Sequence, residues 1–387
     1  MPDVAMMTQL GGLLVRHLKA FSTDSSPIPG EPAEPAERDD AERFTASLES
    51  LGPTFIEFGQ LLSTRQDLLP AAYTEALTRL QDNVEPVPVE EIRARIEESL
   101  GAPVGTLFAE FDDAPLASAS LAQAHRAVTR SGRDVVVKVL RPGVRDRVRR
   151  DLASLGELAD FADANTPVGP RLGAARMLAQ FRRSMADELD YRKEAANLDL
   201  FRNLVDDEPD LLVPGYVADY STDDVLTLEF MPGRKITDVG PLTMLDADGA
   251  RLAASLFRFM LKAMLIDGIL HADPHPGNLF LTPDHRVALL DVGMVVRLPG
   301  RLRSSIVKLL VSIGDGDGEG AAAVLADMGH PTDEYDAAAF RDDVSHLVSS
   351  TLSMGADLQA GAVLMQLARI SGTHGLRPPA EMTLVAK

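Results

Sequence analysis

The 387-residue chain contains no cysteine. That excludes a disulfide scaffold, a Cys-ligated zinc or iron–sulfur centre and a thiol nucleophile at once. Tryptophan is absent too, and aromatic residues make up only 5% of the chain, too few for a base-stacking platform on single-stranded nucleic acid. Positive charge is in deficit: 38 Lys and Arg face 58 Asp and Glu, a formal net charge of −20. Such a surface repels phosphate backbones, so no nucleic-acid partner is expected, and anionic lipid is disfavoured unless a local basic patch overrides the field. Long apolar runs are missing as well. The nearest candidate, Leu252–Leu270, holds Arg258, Lys262 and Asp267. Each charge costs about 3 kcal/mol at the bilayer centre, so the segment reads as a buried helix. The N-terminus shows no secretory signal, and a cytoplasmic location is expected.

What is there is an ordinary globular composition, 45% hydrophobic and 25% charged. The length suits two or three structural units, or one large two-lobed domain. Residues 1–40 read as an N-terminal helix and a linker. Met7, Leu10, Leu14, Leu18 and Phe21 fall at helical spacing, for a helix docked on the body or lying on a membrane surface. Residues 22–40, rich in Ser, Pro and acid, read as disordered. Residues 41–110 are a helical extension, broken at Pro70, Pro86 and Pro88. Residues 111–232 turn to strand-like runs, among them Asp134–Leu140, Leu211–Val217 and Val225–Phe230, around one charged helix from about Arg171 to Leu204. Residues 233–387 return to helix, with a buried helix at Ala247–Asp267 and two short strands around Pro283-Asp284. No repeat of solenoid period is present. The last residues, Glu381–Lys387, stop inside an amphipathic pattern without a cap, so the natural chain is expected to continue.

The strongest local signal is His271-Ala-Asp273-Pro-His-Pro-Gly-Asn278. Its Asp-x4-Asn spacing is that of the kinase catalytic loop, H-R-D-x-x-x-x-N. There the aspartate orients the nucleophile's proton and the asparagine amide oxygen reaches a magnesium ion. His271 would pack beneath the loop, and Pro274, Pro276 and Gly277 stiffen it. An HxD pair alone is often an ordinary buried loop; the octapeptide is far more specific. A metal site of His271, Asp273 and His275 is a rival reading without a convincing further ligand. Thirteen residues on from Asn278, the run Val287–Leu290 ends in Asp291-Val-Gly293, the shape of D-F-G with valine for phenylalanine. Asp291 can bind the magnesium that bridges nucleotide phosphates.

Lys138 lies inside an apolar strand, where a buried ammonium needs a partner. A snorkelling edge-strand lysine is the plainer alternative. In a kinase this lysine contacts the α/β-phosphates and pairs with a helix glutamate. Glu194 is the favoured partner; Asp190, four residues earlier, shares its helix face, and Glu188 and Asp190 can reach the site and influence metal. Ala117-Ser118-Ala119-Ser120 stands where a kinase carries its Gly-rich loop, and should be stiffer for want of glycine. A small-residue helix start is the alternative there. Glu229 and Met231, where Val225–Phe230 meets Met-Pro-Gly, complete the nucleotide-binding candidates.

Taken together these residues resemble the UbiB family of atypical protein-kinase-like proteins, over roughly residues 40–387. The alanine-rich loop matches Ala117–Ser120, the lysine Lys138, the ExD motif Glu188-Leu-Asp190, the helix glutamate Glu194, HxDPHPGN His271–Asn278, and the metal motif Asp291-Val-Gly293. The family's K-x-G-Q signature, on a helical extension folded over the active site, corresponds to Glu57-Phe-Gly59-Gln60, with glutamate in place of lysine. The resemblance implies an α+β, two-lobed kinase-like fold with an N-terminal helical extension, ATP or ADP and Mg2+ as cofactors, and weak or absent protein-kinase activity. It also implies ATPase-like work in isoprenoid-quinone or lipid metabolism, with membrane lipid, a quinone precursor or quinone-biosynthesis proteins as partners. Location would be cytoplasmic or peripheral at the inner face of the membrane. The family commonly carries a C-terminal membrane segment, which is not among these residues. Glu57 is expected to join Glu188 and Asp190 in an acidic cluster that needs magnesium; the alternative is that its helix swings away and leaves the cleft more open. Independently, only about eight residues separate Gly293 from the helix near Arg301 and no A-P-E follows, which leaves no platform for a peptide substrate. A small-molecule phosphotransferase and a nucleotide-sensing scaffold without turnover are the alternatives.

Overall fold

The computed structural model describes residues 35–63, 69–80, 84–165, 174–272, 274–333, 335–353 and 360–377, together with Gly12. The helix expected at 4–21 therefore lies outside the described residues. Helix α1 (Pro35–Leu51) begins with a proline, whose fixed φ suits a first helical position, and with Glu37 in its first turn. Residues 35–40, read from the sequence as the end of a linker, are thus helical. α2 (Pro53–Ser63), α3 (Ala71–Leu77) and α4 (Val89–Leu100) follow. Next come β1 (Phe108–Phe111), β2 (Ala117–Ser118), β3 (Ala122–Thr129) and β4 (Asp134–Leu140). The middle of the chain holds α5 (Val144–Asn165), α6 (Ala174–Glu188), α7 (Tyr191–Val205), β5 (Leu211–Leu212) and β6 (Val225–Glu229). The later part brings β7 (Arg234–Lys235), α8 (Gly249–Lys262), β8 (Ile269–His271), β9 (Leu279–Leu281), β10 (Val287–Leu289) and β11 (Val295–Arg297). Helices α9 (Gly300–Gly314), α10 (Gly318–Met328), α11 (Ala337–Ser353) and α12 (Ala360–Thr373) follow, and the described chain ends in Leu376–Arg377, paired with His330–Pro331.

The chain divides into two compact units, one ending at Ala196 and taking in Gly215–Phe230, the other comprising Asn197–Pro214 and the residues from Met231. In the first unit an antiparallel sheet runs β1-β3-β4-β6, with β2 paired on β3. Val135, Val137 and Val139 of β4 are buried against Ile92 and Ile96 of α4. Strand alternation then turns Lys138 to the opposite face, opposite Ala124 on β3 and Leu226 on β6. β4 is an inner strand, so the edge-lysine alternative does not apply.

Two helical readings change. Val144–Asn165 forms a helix that the sequence reading passed over, because its buried Val144, Val148, Asp151 and Leu155 are interleaved with arginines. The helix read as continuous to Leu204 is broken: α6 stops at Glu188 and α7 starts at Tyr191. Asp190 stands in the break, where its carboxylate accepts the Arg192 N–H at 3.1 Å. It does not share a helix face with Glu194, because an aspartate at this position gains more by satisfying an orphan N–H than by continuing the helix.

In the second unit β5-β10-β9-β7 form a small sheet, β5 parallel to β10, and β8 pairs with β11. The apolar core of its helices gathers Ile306, Leu309, Leu325, Phe340, Val344 and Leu367. Helix α8 ends in a π-helical turn, Ala263–Asp267, which Gly268 closes with a left-handed φ of 73° just before β8. That turn delivers the chain into the His271 strand.

Candidate functional site

In the first unit Lys138 Nζ donates to Glu194 Oε1 at 2.6 Å. The Glu194 side chain is 7% exposed and that of Lys138 21%, and the ammonium lies 5.5 Å from the Tyr191 ring centroid. A pair this enclosed must be matched, since either charge alone would bear an uncompensated desolvation cost.

The alanine-rich segment is neither glycine-like nor a helix start. It is a tight bend at Ser120-Leu121 between the paired strands β2 and β3, where the Ala119 N–H donates to the Ala122 carbonyl at 2.9 Å. Arg141 clamps it, Nε donating to the Ala119 carbonyl at 2.9 Å and Nη2 to Ser118 Oγ at 2.8 Å. Burial pushes the Arg141 guanidinium below its ordinary pKa. Ser120, itself buried, donates its hydroxyl to Glu57 Oε1 on α2.

Glu57 therefore reaches the loop. Among the described residues no three His, Asp or Glu side chains come together at metal-holding spacing. The expected Glu57–Glu188–Asp190 group is not at metal-holding spacing; Glu57 accepts the Ser120 hydroxyl, Glu188 ends α6, and Asp190 caps α7. Gly59 has a packing reason for being glycine. A Cβ there would come within 2.3 Å of Leu80 Cδ1 and 3.0 Å of Leu48 Cδ1. Phe58 packs on Phe181 at 5.2 Å, and Thr54 Oγ1 donates to the buried Asp151 of α5 at 2.6 Å, so α2 is also tied to α6 and α5. Gln60 lies half-buried on α2, its carbonyl accepting the Ser63 hydroxyl at 2.7 Å.

Of the remaining nucleotide candidates, Glu229 is exposed at the end of β6 and its Oε2 accepts the Gly215 N–H at 3.3 Å. Met231 belongs to the second unit, in the wall of a shallow cavity with Leu212, Pro232 and Pro283.

Also in the second unit, His271 is buried edge-on to Phe201, 5.6 Å between ring centroids. Its Nε2 lies 2.8 Å from the Asp291 carbonyl oxygen, a donor position that assigns the proton to Nε2. β8 and β11 add a second brace, with the Ala272 N–H donating to the Met294 carbonyl at 3.0 Å. Asp273 lies outside the described residues. Asn278 closes a 3-10 turn, Pro276–Asn278, and its carbonyl accepts the Leu290 N–H at 2.9 Å, which fixes it beside the strand leading to Asp291. His275 is exposed, and its Nδ1 accepts the Gly277 N–H at 3.0 Å.

The Asp291-Val-Gly turn is held from three sides. Asp291 Oδ1 accepts the Gly293 N–H at 2.8 Å, and Val292 is wholly buried. The sequence reading missed Asn197 on α7, whose Nδ2 donates to the carbonyls of Val292 at 2.9 Å and Gly293 at 3.3 Å. Its signal was an asparagine, a poor helix former, in the middle of a helix and one turn past Glu194. A carboxylate and an amide oxygen held by fixed backbone are hard donors of the kind magnesium takes, so Asp291 and Asn278 fit the ion chemically.

The sequence model of the ABC1 atypical kinase-like domain matches residues 79–325. The chain belongs to this family. Among its relatives is the Marinobacter nauticus protein named "Probable protein kinase UbiB", 39% identical over 275 residues, 70% of this chain and 50% of that protein. The Arabidopsis thaliana chloroplastic protein named ACTIVITY OF BC1 COMPLEX KINASE 7 is 34% identical over 354 residues, 90% of this chain and 50% of the relative. The chain thus spans about half the length of these curated relatives. A solved structure of Rv3197 from Mycobacterium tuberculosis, in complex with erythromycin, superposes with a TM-score of 0.58 at 24% identity, covering 91% of this chain and 93% of that one. The fold of this ABC1/UbiB-type chain is accordingly α+β and kinase-like. No described helix is long and apolar enough to cross a membrane.

Proposed function

We propose that this ABC1/UbiB-type chain binds ATP or ADP with magnesium and works as an atypical kinase or ATPase supporting isoprenoid-quinone or lipid chemistry, with weak or no protein-kinase activity. The observation that carries the reading is the enclosed Lys138–Glu194 pair at 2.6 Å, a lysine presented from an inner strand and held in place by a helix carboxylate. Lys138 supplies positive charge to the α/β-phosphates, and Glu194 fixes where that charge sits. The loop Ala117–Ser120 supplies small side chains and backbone beside the phosphates, with Glu229 and Met231 as further nucleotide contacts. Asp273 orients the attacking nucleophile. Asn278 and Asp291 hold magnesium, which when bound neutralises charge on the phosphate oxygens. His271 and Asn197 position Asp291 and the turn behind it. Glu57, Gly59 and Gln60, with Glu188 and Asp190, form the regulatory elements of the extension and its surroundings.

A nucleotide-sensing role without turnover is the second reading. Glu57 favours it, because a carboxylate bonded to Ser120 places negative charge on the loop proposed to face phosphates. Phosphate release by the purified chain with magnesium and ATP, with and without anionic lipid and phenolic quinone-precursor mimics, separates the two. Release that Lys138→Ala abolishes supports the enzyme. Nucleotide binding with no release under any addition establishes the sensor, and the absence of both binding and release refutes both readings.

A further inference from the structure

We propose that the arginine-lined cavity at the start of α5 is a binding site for a small phosphate-bearing anion, made by residues other than those given to the nucleotide. The cavity, of about 230 Å³, is lined by Arg95, Arg141, Arg145 and Arg149 with Asp146. Whole drug-sized ligands occupy about 300–1,000 Å³, so the space suits a phosphate, a pyrophosphate or the phosphate of a lipid headgroup rather than an entire nucleotide.

The charge ledger of the site leaves a cation over. Arg95 pairs with Glu98 at 2.7 Å and Asp224 at 2.9 Å, Arg145 with the same Asp224 at 2.7 Å, and Arg149 with Asp146 at 3.1 Å. Arg141 donates only to neutral oxygens: the carbonyls of Ala119 and Glu85 and the hydroxyl of Ser118. Four guanidinium groups therefore meet three carboxylates, inside a chain whose net charge is −20. Two of those carboxylates, Glu98 and Asp146, are 70% and 66% exposed, where water and salt screen them.

Donors are also left over. Arg95 spends both terminal nitrogens on Glu98 and Asp224 and contributes charge to the cavity wall. Among the described residues the Nη1 groups of Arg141 and Arg145 have no acceptor. The cavity also opens on the N-terminus of the 22-residue helix α5, whose dipole favours an anion; there the Val144 and Arg147 N–H groups already donate to the Arg141 and Gly143 carbonyls at 3.1 Å each. A cavity, an excess cation, spare guanidinium N–H groups and a helix N-terminus thus coincide. Arg141 gives the site a consequence, because the same guanidinium clamps Ser118 and Ala119. An anion held there stiffens the alanine-rich turn.

The test is calorimetric, on the full chain. Sodium pyrophosphate represents a free phosphate, and phosphatidylcholine vesicles with and without phosphatidic acid represent a lipid headgroup. Binding of pyrophosphate, or of the phosphatidic acid vesicles alone, is expected for wild type, and a binding event must persist in Lys138→Ala, which removes only what the nucleotide residues take up. Arg145→Gln should weaken it about tenfold, the worth of one hydrogen bond to a charged group. Arg149→Glu should do about the same by facing the ligand with like charge, and because Arg149 is 79% exposed this variant folds even if Arg145→Gln does not. No binding of either probe by wild type overturns the proposal. So does binding that survives both arginine variants, and so does binding lost in Lys138→Ala, which would place the phosphate with the nucleotide residues instead.

Discussion

Lys138→Met tests whether the buried ammonium is there to be paired. Methionine keeps the length and packing of the stem but removes the charge, and leaves the Glu194 carboxylate, 7% exposed, without the cation 2.6 Å away. Two unit charges about 4 Å apart interact by about 4 kcal/mol at an effective dielectric near 20, which sets the scale. Breaking an enclosed pair by removing one partner costs about 3–5 kcal/mol. Lys138 is partly reached by solvent, at 21%, so the expected loss lies near the lower end, about 3 kcal/mol. Glu194→Gln should cost less, because an amide still accepts from the ammonium. In the double variant neither charge remains, and a coupling of about 2 kcal/mol should be recovered. Urea unfolding supplies the assay, followed by far-ultraviolet circular dichroism because the chain has no tryptophan to report by fluorescence. Additivity of the two single variants to within about 0.5 kcal/mol would refute the pairing as an energetic unit. It would return Lys138 to an ordinary strand lysine.

Asp291→Asn should weaken magnesium-bound ATP far more than metal-free ATP in equilibrium titrations; equal losses for the two forms remove Asp291 from the metal. Gly59→Ala should destabilise the chain by about 1–3 kcal/mol in the same urea assay, because the new methyl meets Leu80 and Leu48 at sub-contact distance. A neutral effect would mean that the Leu80 and Leu48 side chains yield to it. Glu57→Lys removes the acceptor of the Ser120 hydroxyl and reverses a charge, and should tighten a fluorescent ADP analogue without magnesium about tenfold, from roughly 1–3 kcal/mol of changed electrostatics at 4–6 Å. Glu57→Gln, which keeps an acceptor, should lie between the two. Identical titrations for all three proteins place Glu57 away from the nucleotide.

The parts of this molecule that could be read in the sequence are those in which one residue's chemistry demands another nearby. A lysine among valines asks for an acid, and the register of β4 with β3 and β6 shows why: the valines own the core face and the lysine is left on the other. His271 could be assigned a bracing role because a histidine two residues before a loop aspartate has somewhere obvious to bond. The structure gives it the Asp291 carbonyl. What stayed hidden was decided by tertiary partners. Helix α5 has its apolar positions diluted by arginines, and Asp151 of that helix is buried because Thr54, 97 residues earlier, bonds to it. The break at Leu189-Asp190 carries no proline or glycine; a single capping hydrogen bond marks it.

Arg141 and Glu57 show most clearly where such reading ends. Both act on the same short turn, Arg141 from the end of β4 and Glu57 from α2. Stiffness was expected of the turn because alanine and serine replace glycine. Its backbone alone does not supply that stiffness. One arginine holds two of its residues and one glutamate takes the hydroxyl of a third, so rigidity is imported from outside the segment. A lysine at position 57 could not accept that hydroxyl's proton, since an ammonium only donates. The glutamate is therefore a coherent substitution in this chain: it gives up a positive charge near the loop and gains an anchor to it.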